Sequence, residues 1–282
     1  MKNLLIKIPR LILPGNLPDF IIIGAQKSGT SSLHYYLSKH PDLSASIPKE
    51  THYFDRYVNH NYSLDWYKSH FYTRPFRQLL YFESTPNYIY SERVAEQLAS
   101  LVPQIKLILI LREPVSRSYS AWNMYKSFFE KNEIYKIQKE QYPGEESTIY
   151  KYLYKNRNSF PSFIDAIKIE EELIKIGKDK EPAIIRRGFY AEQIKHYLKY
   201  FDRDQILILG FKELFKNVSG CLEKVYDFLE IKSIDTSHIE KERKNSRSYD
   251  RNISRREREY VQEIFIDHNN SLFALLGFKP QW

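Results

Sequence analysis

Residues 19–40, DFIIIGAQKSGTSSLHYYLSKH, constrain this chain more than any other stretch. Phe20 and three consecutive isoleucines, Ile21, Ile22 and Ile23, form a short apolar run that reads as a buried strand stopping at Gly24. Small and hydroxyl residues follow, and a helix is expected over residues 30–39. A turn between strand and helix aims free backbone N–H groups and the positive end of the helix dipole at one spot, which suits an anion. Gly24 and Gly29 allow close approach there, and Lys27 adds a full charge. The phosphate-binding candidates are therefore Lys27, Ser28, Gly29, Thr30 and Ser31. In the nucleotide-hydrolase loop, Gly-x-x-x-x-Gly-Lys-Ser/Thr, the lysine follows the second glycine, whereas Lys27 precedes Gly29. This is not an ordinary P-loop.

Further strands are expected at residues 79–84, 106–111 and 205–209, alternating with helices at 91–101, 115–129, 162–176, 190–200, 218–229 and 255–276. That alternation predicts an α/β fold with a central parallel sheet covered by helices on both faces. Ligands of such sheets bind beyond the carboxyl ends of the strands. Arg112 stands at the end of the apolar run 107–111, just ahead of Pro114 and the next helix, so it joins the turn after Gly24 at one crevice. Its planar fork can grip a phosphate bidentately, and Ser120, about two helical turns on, offers a hydroxyl.

A chain of 282 residues with 42% hydrophobic residues can bury one sizeable core, so residues 19–282 are read as a single domain. Residues 131–160, polar and rich in Tyr and Lys, read as an inserted excursion over the sheet edge, and residues 1–18 as a lead-in. Lys2, Lys7, Arg10 and three prolines interrupt the lead-in well short of the roughly 20 apolar residues that cross a bilayer. No integral membrane segment is expected, although residues 4–12 could touch a membrane surface. Cys221 is the single cysteine, which excludes an intrachain disulfide and favours a reducing, cytoplasmic location.

The net charge of +8 is concentrated near the end of the chain, where residues 241–258 carry eight Lys/Arg against Glu242, Asp250 and Glu257. A small polyanionic ligand accounts for such a local patch, and no nucleic-acid motif accompanies it. A separate segment, IPKETHYFD at residues 47–55, offers two proton acceptors, Glu50 and His52, whose spacing puts them on one side of an extended chain.

Taken in order, these segments resemble the sulfotransferases that use 3′-phosphoadenosine-5′-phosphosulfate (PAPS), and the resemblance runs from about residue 19 to 282. Lys27, Gly29, Thr30 and Ser31 match that family's 5′-phosphosulfate loop, Lys-x-Gly-Thr-Ser/Thr. Arg112, Pro114, Arg117 and Ser120 match its 3′-phosphate pattern, Arg-x-Pro-x-x-Arg-x-x-Ser. Residues 47–55 are similar to the Lys-Glu-x-His-x-Phe segment of heparan-type glycan sulfotransferases, which implies Glu50 as the base with His52 assisting or substituting. Tyr190 matches the family's Gly-x-Tyr helix, and Arg247, with Lys244 as a stand-in, falls in the loop that closes over the nucleotide. Where glycan-modifying members often carry a lysine, FESTPNY has Ser84, a departure that weakens a heparan-like acceptor.

The resemblance implies a three-layer, P-loop-like fold. It also implies transfer of a sulfuryl group from PAPS, as co-substrate, to a hydroxyl or, less readily, an amine of a small-molecule or carbohydrate acceptor. Positioned cations can stabilise such an in-line transfer, so no metal is expected. Phosphates in the crevice would raise the pKa of a nearby carboxylate and hold an imidazole protonated, which favours Glu50 over His52 as the base. Two other classes stay open: a P-loop kinase or nucleotide hydrolase, and a non-catalytic module that binds PAPS or another polyanion. Oligomeric state is not legible.

Overall fold

The structure, a computed structural model, describes residues 15–55, 62–72, 78–134, 146–177, 183–236 and 252–282. Most of the lead-in, the middle of residues 131–160, and Lys244 and Arg247 lie outside the described residues.

Five parallel strands form the sheet: β1 (Phe20–Gly24), β2 (Leu43–Ala45), β3 (Leu80–Glu83), β4 (Lys106–Leu111) and β5 (Ile206–Gly210), in the order β2-β3-β1-β4-β5. Alternation along the central strands sorts side chains to two cores. Phe20 and Ile22 of β1 and Ile108 and Ile110 of β4 pack with α1 (Thr30–Leu37) and a later helix, Val218–Leu229. Ile21 and Ile23 of β1 and Leu107, Leu109 and Leu111 of β4 face the other way, onto α3 (Glu92–Leu101) and the helix Tyr190–Tyr197. Both faces are thus covered, which explains why β1 and β4 are apolar at nearly every position.

The remaining helices, in chain order, are α2 (Leu64–Lys68), α4 (Pro114–Glu130), α5 (Phe163–Lys175), α6 (Tyr190–Tyr197), α7 (Phe211–Lys216), α8 (Val218–Leu229) and α9 (Arg255–Leu276). Glu113 caps α4 by accepting from the N–H groups of Val115 and Ser116, with Pro114 at the first helical position. Ser254 and Glu257 form a capping box at the start of α9, and Gly277 ends it with a φ of 75°. A third core joins α4, α5 and α9 without any strand residue. The described part of residues 131–160 packs here: Leu153 and Tyr154 are buried in this core, and the Tyr154 hydroxyl donates to the carbonyl of Tyr125 at 3.0 Å. Its apolar side chains meet the aromatic face of α4, formed by Tyr119, Trp122 and Tyr125.

Three elements escape sequence reading: β2, α2 and α7, of three, five and six residues. Each is too short to display a period, and β2 is defined by its parallel pairing with β3 rather than by its own composition.

Candidate functional site

The turn after β1 has the geometry an anion needs. It leaves the sheet with the Ala25 N–H donating to Ile110 at 2.9 Å and closes with the Ser28 N–H donating to Ala25 at 3.1 Å. Lys27, at φ 68°, and Gly29, at φ 92°, both adopt left-handed backbone, and Gly29 is the N-cap of α1. A Cβ on Gly29 would sit 3.0 Å from the Phe215 ring and 3.2 Å from Leu214, so α7 closes in where only glycine fits. Ser28 and Thr30 are buried and Ser31 is exposed at the mouth of the turn. The N–H groups that open α1 have no partner within the helix, the arrangement that favours phosphate.

Arg112 follows β4 and reaches back to this turn. Its Nη1 donates to the carbonyl of Lys27 at 3.0 Å, and its guanidinium lies over the Phe211 ring at 4.6 Å. The buried Tyr190, first residue of α6, donates its hydroxyl to the Arg112 carbonyl at 2.9 Å. Burial pushes the Tyr190 phenol up, against the opposing influence of Arg117, Ser28 and Arg112, so it remains a donor at neutral pH. Ser120 is buried further along α4. Arg117 is buried completely and donates to Ser118 Oγ and the Ile184 carbonyl, holding α4 to the start of the α6 region.

The base candidates stand together, but not on extended chain. His52 has a φ of 53°, which turns the segment so that Asp55 folds back beneath the imidazole. His52 Nδ1 lies 3.0 Å from Asp55 Oδ2, and Nε2 lies 3.4 Å from Glu50 Oε2. Asn87 donates to the same Asp55 oxygen at 2.6 Å. Lys49 Nζ contacts the other Glu50 oxygen at 2.7 Å. Asp55 is 1% exposed in its side chain against 40% for Glu50, so the chain of contacts runs from a buried carboxylate to an open one. Burial alone would raise the Glu50 carboxyl; the hydrogen bond from His52 and the charge of Lys49 outweigh it and bring the pKa down to about 2. In the protein's own field, the two neighbouring cation-forming side chains set this direction.

Beneath this segment lies Glu83, the last residue of β3 and completely buried. Its carboxylate accepts from Tyr67 (2.6 Å), Thr85 (2.6 Å), Tyr88 (3.1 Å) and both the hydroxyl and N–H of Thr51 (2.7 and 3.3 Å). Thr51 separates Glu50 from His52, so Glu83 fixes the backbone between the two candidates. Burial raises the Glu83 pKa while these hydrogen bonds oppose it. For His34 on α1, burial and the Lys49 charge lower the pKa to about 4, and the ring lies 5.1 Å from Phe82.

Asp55, Glu83, Asn87 and His34 are absent from the sequence reading. An acid inside the apolar strand run YFES was the one available signal for Glu83. Arg247 lies outside the described residues.

A sulfotransferase-domain family model matches residues 17–273. Among curated proteins, the chain is 26% identical to the membrane-associated sulfotransferase kil1 of Dictyostelium discoideum, over 94% of this chain and 66% of that protein. It is 29% identical to the human heparan sulfate glucosamine 3-O-sulfotransferase 3B1, over 78% of this chain and 48% of the relative. The chain therefore spans two thirds or less of the length of these relatives. Among solved structures, a sulfotransferase from Alicyclobacillus acidocaldarius shares the fold with a TM-score of 0.66 at 24% identity, covering 94% of this chain and 97% of that one.

Proposed function

The chain belongs to the sulfotransferase family, and from that premise we propose that it moves a sulfuryl group from PAPS to a hydroxyl of a carbohydrate or other small hydroxylated acceptor. When bound, PAPS supplies the sulfuryl group: its sulfur–oxygen bond to the bridging phosphate oxygen breaks as a bond to the acceptor oxygen forms, releasing adenosine 3′,5′-bisphosphate. The observation that supports this reading is the Arg112 side chain held against the Lys27 carbonyl at 3.0 Å, which brings together the two motifs proposed to bind phosphate.

The residues fit the donor. The N–H groups of Gly29, Thr30 and Ser31 would hold the 5′-phosphate, with Ser28 beside them. Lys27 would neutralise charge growing on the bridging oxygen. Arg112, with Ser120, would grip the 3′-phosphate, and Tyr190 would act through the Arg112 carbonyl rather than by touching the nucleotide. Arg247 is proposed to close over the nucleotide. Glu50 takes the acceptor proton, and His52, oriented by Asp55, steadies it.

The acceptor is the finer part of the proposal. Relatives named for heparan sulfate support a carbohydrate. Ser84 is completely buried and its N–H donates to the Lys49 carbonyl at 3.1 Å, so this position presents no cation to a sulfated glycan. Among the described residues no helix is long and apolar enough to cross a membrane. The cytoplasmic assignment is retained as part of the proposal, and fractionation of expressing cells tests it.

Incubation with ³⁵S-labelled PAPS and a panel of sugars and hydroxylated small molecules tests the function. Label transferred to an acceptor with equimolar release of adenosine 3′,5′-bisphosphate is the expected result. Hydrolysis of ATP that depends on Mg²⁺, without transfer of sulfur, would assign the crevice to the nucleotide-hydrolase class instead.

A further inference from the structure

After Gly277 the chain turns back across the end of β5. The Gln281 carbonyl accepts the N–H of Lys212 at 3.0 Å. Gly210, the last residue of β5, lies directly under this segment: a Cβ there would be 2.2 Å from the Gln281 carbonyl oxygen and 2.9 Å from its nitrogen. Those are backbone atoms, which cannot swing aside as a side chain would, so the contact exists only because residue 210 is glycine. Pro280 is buried, and the Trp282 ring packs at 5.5 Å from Phe273 and 6.4 Å from Tyr190.

Residues 281 and 282 therefore stand behind two of the groups that touch Arg112, one at its guanidinium and one at its backbone carbonyl. Phe211, under the guanidinium at 4.6 Å, directly follows the glycine on which Gln281 rests. Tyr190, which binds the Arg112 carbonyl at 2.9 Å, is the ring that Trp282 packs against. A further contact, with the Lys27 carbonyl, belongs to the turn after β1. A bidentate grip on phosphate depends on the plane of the guanidinium, and a side chain already held in that plane loses less freedom on binding. Resting on the nucleotide reading given above, we infer that residues 281–282 are a positioning strap that sets the plane of Arg112, so that discrimination for a 3′-phosphate depends on Trp282 and on the absence of a side chain at residue 210.

Titration calorimetry on the whole chain tests this with two probes, adenosine 3′,5′-bisphosphate and adenosine 5′-phosphate, which differ by the 3′-phosphate. The strap predicts that Trp282→Ala and Gly210→Ala each reduce the preference for the bisphosphate by about tenfold, roughly 1.4 kcal/mol, while affinity for adenosine 5′-phosphate changes by less than about twofold. Trp282→Phe, which keeps an aromatic ring against Tyr190, should restore most of the preference. Equal weakening of both nucleotides, or no change in either, overturns the strap. Arg112→Ala separates this from the underlying reading: if that variant keeps the preference, the 3′-phosphate assignment itself is wrong. If it loses the preference while the Trp282 and Gly210 variants keep it, only the strap falls. Should Gly210→Ala not fold, Trp282→Ala and its rescue by Trp282→Phe decide alone.

Discussion

Arg112 Nη1 donates to the carbonyl of Lys27 at 3.0 Å across 85 residues of sequence. This bond ties the end of β4 to the turn after β1, two neighbouring strands, and brings the two motifs of the candidate site together. It also commits one donor of the guanidinium to the protein's own backbone.

Lys27→Ala should lower turnover by about 100-fold or more, since a donor aimed at charge that develops in the transition state acts mainly on the chemical step. Affinity for adenosine 3′,5′-bisphosphate should fall much less. Single-turnover kinetics beside equilibrium binding will show the split, and a variant retaining more than about a tenth of normal turnover removes Lys27 from the transfer step.

Glu50→Gln keeps shape but cannot take a proton, so turnover should drop by roughly 100-fold with nucleotide affinity unchanged. His52→Ala should be milder, because it also removes the hydrogen bond that lowers Glu50 and leaves the carboxylate more basic. Asp55→Asn, which weakens the orientation of the imidazole, should resemble His52→Ala. Measured rates ranking His52→Ala as the dead enzyme and Glu50→Gln as the active one would transfer the role of base to His52.

Replacing Glu83 with Gln puts an NH₂ donor among Tyr67, Thr85, Tyr88 and Thr51, all of which donate to the carboxylate or bond one another. A mismatched buried group costs about 1–3 kcal/mol. The urea midpoint should fall accordingly, and turnover should fall with it through the loosened Thr51, while nucleotide affinity holds. An unchanged midpoint would show that the network tolerates an extra donor and does not fix the segment.

His34 supplies a pH signature. Its pKa is lowered from 6.5 to about 4, so between those values the unfolded chain binds more protons than the folded one and stability rises with pH. Its contribution is complete above pH 6.5 and is lost as pH falls toward 4, about 3 kcal/mol in all. The melting temperature of wild type should decline across that window more than that of His34→Gln. Parallel curves for the two proteins would show that His34 does not titrate with folding.

Much of this protein was legible in its sequence because the relevant signals are local. The strand, the glycine turn with Lys27 and the start of α1 are contiguous, and Arg112 is marked by the apolar run it terminates; adjacency and periodicity alone locate both. They also determine the parallel α/β sheet, since β1, β3, β4 and β5 each carry their own apolar pattern. What only the tertiary structure decided depends on meetings between distant residues. Thr51 finds Glu83 across 32 positions, Tyr190 finds Arg112 across 78, and β2 takes its place by pairing with β3. The left-handed backbone at His52 that brings Asp55 beneath it belongs here too, because a non-glycine residue adopts that conformation when surrounding contacts outweigh its local cost.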